Sequence, residues 1–296
     1  MLNKVVKCSD PLPFGSKLLV LGAGFSGKHI AKAVRLLGTE VLCTRRAINL
    51  EGADIEFDST SNTIPSFKHL KGVSHVISCI PPSENGDDPV LQTLGNELHK
   101  MPLQWVGYLS TTGVYGDCNG NWVSEKDPTN PGQIRSQRRL ACEKEWINSR
   151  LPVQILRLPG IYGPGRSAIQ TIQAGKANRI NKPGQVFSRI HIDDIAGAVI
   201  HLINLYEKGI KPKIVNISDN LPTSNIEVLN YGASLLGWKL PPIIDFQLAS
   251  KEMSQMALSF WRENRRVSNT LLCKELKYSL IHPDYISGLK DCLDQY

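Results

Sequence analysis

The sequence predicts an α/β fold, with a doubly wound parallel sheet and a smaller C-terminal lobe. From residue 17 to residue 218, short apolar runs typical of buried parallel strands alternate with segments of helical periodicity. Beyond Leu221, helical segments and proline-rich turns continue, while strand signals become weak. A chain of 296 residues is long enough to bury the cores of both parts.

The first predicted strand, 17–21, is a short apolar run flanked by glycine. Six further segments are predicted to be strands, namely 40–44, 55–57, 75–80, 105–110, 153–158 and 214–218. Helices are predicted after the first run, at 90–99, at 136–150 and after Asp194. Gly38 is expected to end the first helix, and Asp193 and Asp194 are expected to cap the last one. Strands that alternate with helices in this way indicate stacked βαβ units.

The composition is that of a globular protein, with 41% hydrophobic and 21% charged residues, which excludes fibrous and disordered classes. No apolar run approaches the roughly 20 residues of a membrane helix, so we expect no membrane partner. The net charge of +7 attracts phosphates or nucleic acid, but no long basic run is present. We therefore expect a small-molecule substrate and no nucleic acid, in a monomer or homodimer.

The seven cysteines contain no CxxC pair and have no histidine cluster nearby at metal-ligand spacing. The sequence therefore predicts no metal site. An odd set of unpaired cysteines is typical of a reducing compartment. The expected location is the cytoplasm or an equivalent space such as the plastid stroma.

A glycine-rich turn lies between the first predicted strand and the first predicted helix. It consists of Gly22, Ala23, Gly24, Phe25, Ser26 and Gly27, which form a GxGxxG pattern. In this context Gly22 allows a tight turn, Gly24 lets a pyrophosphate approach the backbone, and Gly27 lets helix and strand pack closely. The pattern predicts a dinucleotide site in a Rossmann-like fold. An ordinary βα turn is the alternative.

The end of the second predicted strand indicates which dinucleotide binds. NAD sites place an acidic residue about 20 residues after the glycine-rich turn to bind the ribose 2′-hydroxyl. Here Arg45 and Arg46 follow the strand instead, and guanidinium groups bind phosphate strongly. The sequence therefore favours NADP (NADPH), with a solvated basic loop as the alternative. Asp58, after the third strand, is a candidate for binding the adenine amino group.

Several ordered motifs carry a family resemblance. They are GAGFSG at 22–27, STTGVYGD at 110–117, RLPGIYGPGRS at 157–167, RIHIDDIAGAV at 189–199 and VNISD at 215–219. Together they resemble the extended short-chain dehydrogenase/reductase family, in its NAD(P)-dependent epimerase/dehydratase branch. The resemblance implies a Rossmann domain that holds the cofactor and a smaller lobe that holds the substrate, commonly a nucleotide sugar.

The resemblance also assigns catalytic positions. It places the catalytic hydroxyl on Thr111, and it places Arg135 and Arg139 where the family has its Tyr and Lys. Arginine keeps its protons at physiological pH, so a Tyr-type general acid/base is absent. Arg139 is still expected to contact the cofactor as the lysine does.

Arg135 and Arg139 lie one helical turn apart on a stripe with Cys142 and Trp146, which favours an inward, anion-binding role. The alternative is an exposed ion pair between Arg139 and Glu143, with Arg135 in water.

Three further positions follow from the resemblance. Pro159 and Gly160 match the backbone that contacts the nicotinamide. Asp88 matches an aspartate that atypical members place near the active site, where desolvation would raise its pKa towards a value useful for proton transfer. The alternative for Asp88 is a helix N-cap, with Pro89 at the first helical position.

Two functions remain open at this point. The first is an NADP(H)-dependent oxidoreductase or epimerase-like enzyme acting on an anionic substrate, with nucleotide-linked compounds as one candidate class. The second is a non-catalytic NADP(H) sensor or scaffold. In either case we expect residues 1–158 and 189–219 to form the Rossmann domain, and 159–188 and 220–296 to form the substrate lobe.

Overall fold

A seven-stranded sheet forms the centre of the protein, of which the computed structural model describes residues 2–61 and 63–294. In chain order the strands are β1 (Lys17–Leu21), β2 (Glu40–Arg45), β3 (Ile55–Glu56), β4 (His75–Ser78), β5 (Trp105–Thr111), β6 (Trp122–Val123), β7 (Val153–Leu158), β8 (Gly160–Tyr162), β9 (Arg179–Asn181), β10 (Arg189–His191), β11 (Ile214–Asn216), β12 (Ile243–Asp245) and β13 (Arg266–Val267). The sheet has the order β11-β7-β5-β4-β1-β2-β3, and its neighbouring strands are parallel.

Helices cover both faces of this sheet. In chain order they are α1 (Asn3–Lys7), α2 (Phe25–Leu36), α3 (Pro89–Lys100), α4 (Ile134–Asn148), α5 (Ala168–Gln173), α6 (Ile192–Glu207), α7 (Asn225–Leu236), α8 (Phe246–Ala249), α9 (Gln255–Trp261) and α10 (Tyr285–Asp294). Leu18 and Val20 of β1 pack with α2 and α6 on one face. Leu19 and Leu21, whose side chains point the opposite way, pack with α3 and α4 on the other. The predicted doubly wound sheet is confirmed.

None of the described helices is both long enough and apolar enough to cross a membrane.

The strand order reverses at β1. From β1 the sheet continues through β2 to β3 on one side, and through β4 and β5 to β7 on the other. In sheets of this kind, ligands bind in the crevice outside the carboxyl ends of the strands at the reversal point. The glycine-rich turn follows β1 at this edge, and Thr111 ends β5.

The prediction that Asp193 and Asp194 cap α6 is wrong. The cap is His191, whose Nδ1 accepts the backbone N–H of Asp193 at 3.2 Å, and both aspartates lie in the first helical turn. Histidine is not among the residue types that usually cap helices, so sequence alone favoured the aspartates. Their charges still lie where the helix dipole favours a negative group.

Short strand pairs outside the main sheet connect distant parts of the chain. β8 pairs with β10, β9 with β12, and β6 with β13. β12 and β13 lie in the region where the sequence showed only weak strand signals, because two or three residues are too few to display a strand pattern. In the same region, Leu272, Leu276 and Tyr278 join the buried cluster that contains α2 and α6.

Candidate active site

The glycine-rich turn has the shape that a dinucleotide turn needs. Gly22 has a φ of +84°, and a Cβ there would lie 2.7 Å from Cγ1 of Ile80. A Cβ on Gly27 would lie 2.7 Å from the carbonyl oxygen of Gly22, so the start of α2 approaches the turn too closely for any side chain. Around Gly24, by contrast, a Cβ would meet nothing within 4 Å. The turn is therefore closed towards the protein and open at Gly24.

Arg45 lies directly against this turn. As the last residue of β2 it is half-buried, and its Nη1 donates to the carbonyl oxygen of Ala23 at 2.6 Å. The turn is further attached to β2 because Thr44 accepts hydrogen bonds from the backbone N–H groups of Gly22 and Ala23. Arg46 follows and is exposed. The structure thus brings Arg45 and the glycine-rich turn together.

The side chain of Asp58 forms hydrogen bonds within the turn in which it lies. Its Oδ1 accepts hydrogen bonds from the backbone N–H of Thr60 at 3.0 Å and from the Thr60 hydroxyl at 2.8 Å. Its backbone also pairs with Thr63. The carboxylate therefore has local partners that account for its position, and a role towards adenine stays a prediction.

A buried ion pair supports the strand that ends in Thr111. Glu143 of α4 is 1% exposed, and its carboxylate accepts two hydrogen bonds from Arg157 of β7, at 2.7 and 3.1 Å. Its Oε1 also accepts the hydroxyl of Ser110 at 2.5 Å. Glu143 is therefore a buried partner of Arg157, and the alternative of an exposed Arg139–Glu143 pair is wrong.

Arg139 reaches the carboxyl ends of two central strands. Its Nη1 lies 3.0 Å from the Tyr108 hydroxyl, 3.1 Å from the carbonyl oxygen of Leu109 and 3.3 Å from that of Ile80. Because Leu109 belongs to β5 and Ile80 follows β4, the guanidinium lies at the edge of the sheet where the cofactor is expected.

Arg135 lies on the same helix but has a different neighbour. It is exposed, and its guanidinium carbon lies 4.3 Å from the centre of the Phe260 ring, a cation–π contact that joins α4 to α9. Of the four residues on the predicted stripe, Cys142 and Trp146 are buried. The two arginines differ, since Arg139 contacts the ends of β4 and β5 and Arg135 is exposed.

A cavity of about 510 Å³ contains four of the predicted residues. Its walls include Thr111, Arg135, Pro159 and Gly160. The Oγ1 atom of Thr111 accepts the backbone N–H of Gly113 at 3.1 Å, which fixes the hydroxyl at the carboxyl end of β5. The hydroxyl hydrogen remains available to a ligand in the cavity.

Asp88 is the N-cap of α3 and is fully buried. Its Oδ1 accepts the backbone N–H groups of Val90 and Leu91, each at 3.0 Å, and its Oδ2 accepts the indole N–H of Trp146 at 2.8 Å. Burial raises the pKa of Asp88, although these hydrogen bonds oppose the shift. With both oxygens occupied and no contribution to the cavity wall, Asp88 has the capping role that the sequence left open.

Several residues of this site had no signal in the sequence. Phe260, Trp261, Glu263 and Arg265 line the same cavity as Thr111, although they lie some 150 residues further along the chain. They belong to α9 and to the segment that leads into β13. No motif marks them, because the position of this segment beside the crevice depends on tertiary contacts, among them the pairing of β13 with β6.

A buried histidine–aspartate network joins the two ends of the chain. Asp193 accepts hydrogen bonds from Nε2 of His29 at 2.6 Å and Nε2 of His282 at 3.2 Å. Burial would raise the pKa of Asp193, but these hydrogen bonds outweigh it and lower the pKa. Possible ligand atoms of His191, Asp193, His282 and Asp291 all lie within 4.8 Å of one another. However, Nδ1 of His191 accepts a backbone N–H, so its ring hydrogen is on Nε2, which suits a donor rather than a metal ligand.

The network makes the stability of the protein pH-dependent. We expect the free energy of unfolding to fall by about 2 kcal/mol between pH 8 and pH 5 because of His191. Burial lowers the pKa of His191 to about 3, whereas the same ring in the unfolded chain has a pKa near the usual 6.5. Between about pH 6.5 and pH 3, His191 binds a proton in the unfolded chain but not in the native state, and this difference favours unfolding. Urea unfolding at the two pH values measures the difference.

A pair of variants isolates this contribution. His191→Asn keeps a cap acceptor but removes the titration, so its stability is expected to lose most of the pH dependence. His99→Asn changes an exposed histidine and is expected to behave like the wild type. An unchanged pH dependence in His191→Asn would contradict the assignment.

Comparisons with known proteins agree with this geometry. The NAD dependent epimerase/dehydratase family model matches residues 18–218. Protein YeeZ of Escherichia coli K12 is 25% identical over 291 residues, with 90% of this chain and 97% of YeeZ covered. A solved structure of a functionally unknown conserved protein from Silicibacter pomeroyi has a TM-score of 0.85 at 36% identity, covering 95% of this chain and 99% of that one.

A more distant solved structure contains a dinucleotide. The human epimerase family protein SDR39U1, solved with NADPH, has a TM-score of 0.72 at 17% identity, with 95% of this chain and all of that chain covered. At that identity the likeness shows a common fold. Because the family model covers the sheet, the glycine-rich turn and Thr111, this chain belongs to the NAD dependent epimerase/dehydratase family.

Proposed function

We propose that the protein binds NADP(H) and uses it for hydride transfer, of oxidoreductase or epimerase type, on an anionic substrate. The observation that carries the proposal is the position of Arg45 against the glycine-rich turn.

The 2′-phosphate is the part of the cofactor that Arg45 and Arg46 would bind. Arg45 uses Nη1 for Ala23, and a guanidinium has further N–H donors that can bind phosphate oxygens. The first carboxylate after them in the chain is Glu51, which pairs with Lys28 at 2.5 Å. A cationic end of β2 favours NADP(H) over NAD(H).

The nicotinamide end would lie between Arg139 and the cavity. The open side of Gly24 fits a pyrophosphate, and Pro159 and Gly160 line the cavity where the resemblance places the nicotinamide contact. Bound NADP(H) supplies or accepts the hydride. The chain itself contributes Arg139, which orients the ribose, and the Thr111 hydroxyl, which donates a hydrogen bond to a substrate oxygen.

The substrate is proposed to be anionic because of the charges in the cavity wall. Arg135 and Arg166 line the cavity and are both exposed. Nucleotide sugars, common substrates of the family that the sequence resembles, are one candidate class. Arginine in place of the family's tyrosine favours a second function, a non-catalytic NADP(H) sensor. Turnover of NADPH with any carbonyl or nucleotide-sugar compound would exclude that second function.

Nucleotide titration tests the proposal. We expect wild-type protein to bind NADPH at least tenfold more tightly than NADH, and Arg45→Ala to lose most of that preference, because a charge-assisted hydrogen bond is worth about 1.5–3 kcal/mol. Lys32→Ala, which removes an exposed cation from α2, is expected to keep the preference. Equal binding of the two nucleotides by the wild type would refute the assignment of the 2′-phosphate.

A further inference from the structure

A second cavity, of about 600 Å³, lies among α5, α7 and α10 and adjoins the cavity that contains Thr111. The walls of the two cavities have four residues in common, which are Arg166, Arg189, Asn225 and Trp261. Each cavity has the size of a small-molecule site. A ligand bound at the shared residues can therefore extend into both cavities.

Arg189 is the buried cation among these shared residues. It is 9% exposed, and its Nη1 donates to the carbonyl oxygens of Phe187 at 2.8 Å and Thr223 at 3.0 Å. Its Nε and Nη2 donate to none of the described residues, and neither atom is enclosed by the protein. Because Arg189 lines both cavities, these two nitrogens are the part of its guanidinium that a ligand can reach.

Arg189 forms no ion pair with a carboxylate of the described residues. Asp219 and Glu227 act on its charge only from a greater distance. Burial raises the pKa of Asp219 to about 8, so that carboxyl is mostly protonated at neutral pH. Glu227 accepts hydrogen bonds from Thr223 and Ser224 instead. A buried charge without an ionic partner is unfavourable, so a bound anion would stabilise this site.

The wall of the second cavity is both cationic and apolar. Its cations are Arg166, Lys176 and Arg189, and no carboxylate is present among the described residues that line it. Its large apolar and aromatic side chains include those of Tyr162, Val228, Leu229, Tyr285 and Leu289. The cations favour a negatively charged group. The apolar surface favours an aromatic group, because burial removes the apolar atoms of that group from water.

Several uncharged polar side chains in this wall already have partners. The Ser167 hydroxyl donates to Oε1 of Gln170 at 2.6 Å, and the Thr171 hydroxyl donates to the carbonyl oxygen of Ser167 at 3.0 Å. The amides of Asn178 and Asn225 are the others in the wall. The hydroxyl groups of a ribose would find few partners here, so an aromatic group without hydroxyls fits the wall better than a nucleoside.

We propose that Arg189 binds the phosphate group of a ligand through Nε and Nη2, while the second cavity holds an apolar aromatic group of the same ligand. A guanidinium binds phosphate through two parallel hydrogen bonds, and the phosphate has further oxygens for Arg166. The ligand class is an aromatic organic phosphate, whose reacting part lies in the cavity with Thr111. This inference deepens the proposed function and rests on its placement of an anionic substrate in that cavity.

Three phosphates test the proposal, namely 2-naphthyl phosphate, methyl phosphate and uridine 5′-monophosphate. In calorimetric titration we expect the wild type to bind 2-naphthyl phosphate about tenfold or more tightly than either of the others, because its ring buries apolar surface and has no hydroxyl groups. We expect Arg189→Gln to weaken this binding by about tenfold or more, since a charge-assisted hydrogen bond is lost. Arg262→Gln, which changes an exposed arginine outside both cavities, is expected to bind like the wild type.

A second position tests where the aromatic group binds. Ala174 is exposed and lines the second cavity but not the one with Thr111, so Ala174→Trp places a large side chain in the second cavity. We expect this variant to reduce the preference for 2-naphthyl phosphate over methyl phosphate to about threefold or less. Its binding of methyl phosphate is expected to stay unchanged.

Thermal unfolding separates recognition from folding. If Arg189→Gln does not fold, Arg189→Lys keeps a cation but not the two parallel donors, and it is expected to weaken binding of 2-naphthyl phosphate by about threefold or more. Binding of either other phosphate as tightly as 2-naphthyl phosphate, or no binding at millimolar concentration, overturns the proposal. Wild-type affinity in a folded Arg189 variant, or an undiminished preference in Ala174→Trp, also overturns it. None of these titrations contains NADPH, so their failure is distinguishable from failure of the cofactor site.

Discussion

Replacing Glu143 with alanine is expected to lower the free energy of unfolding by about 3–5 kcal/mol. The substitution leaves the Arg157 guanidinium buried without its carboxylate, and it removes the acceptor of the Ser110 hydroxyl. Arg157 is 4% exposed at its side chain, so water cannot replace the lost partner without a structural change. Urea unfolding, followed by circular dichroism, measures the loss.

Two further variants show whether the loss of stability comes from the ion pair of Glu143. Lys144→Ala changes the adjacent, exposed position of α4 and is expected to shift stability by less than about 0.5 kcal/mol. Glu143→Gln keeps the hydrogen-bonding shape but removes the charge, so an intermediate loss is expected. If Glu143→Ala were as stable as Lys144→Ala, the ion pair between Glu143 and Arg157 would not stabilise the end of β5.

The second large effect is expected at Gly24. We expect Gly24→Val to weaken NADPH binding at least a hundredfold while changing the free energy of unfolding by less than about 1 kcal/mol. A Cβ at this position meets nothing within 4 Å, so the protein itself has room for the side chain. The same space is where the backbone would be approached by the cofactor pyrophosphate. NADPH fluorescence titration and thermal unfolding measure the two quantities.

A matched control is available in α3. A Cβ on Gly95 would also meet nothing within 4 Å outside its own helix, so Gly95→Val is expected to fold and to bind NADPH like the wild type. Tight NADPH binding by Gly24→Val would show that the pyrophosphate does not approach the chain at Gly24.

The central sheet was predictable because its signals are local. Strands buried on both faces need nearly continuous apolar runs, and Lys17–Leu21 is a predicted strand of this kind whose bounds the structure reproduces without change. The turn after β1 needs a residue with positive φ, so Gly22 was readable from its type and position. Strand ends were less accurate, since β4 stops at Ser78 and not at residue 80.

The roles of the charged residues were less predictable. Asp88 suited both a helix cap and a proton donor, and the indole of Trp146, 58 residues away, fills its second oxygen. Glu143 suited a surface pair, but α4 turns it towards Arg157. A charged side chain has the same sequence signal whether it is solvated or buried, because its partner is fixed only when the elements pack.

The sequence by itself determined the α/β fold, the dinucleotide turn, the family resemblance and the cationic end of β2. These features depend on residue type and short spacings along the chain. The tertiary structure decided which groups share the cavity, because the pairing of β13 with β6 brings Glu263 beside residues of β5 and α4 that precede it by more than 120 positions. That contact depends on backbone hydrogen bonds between two strands of two residues each, which are too short to show a strand pattern in the sequence. Such contacts form only in the folded chain.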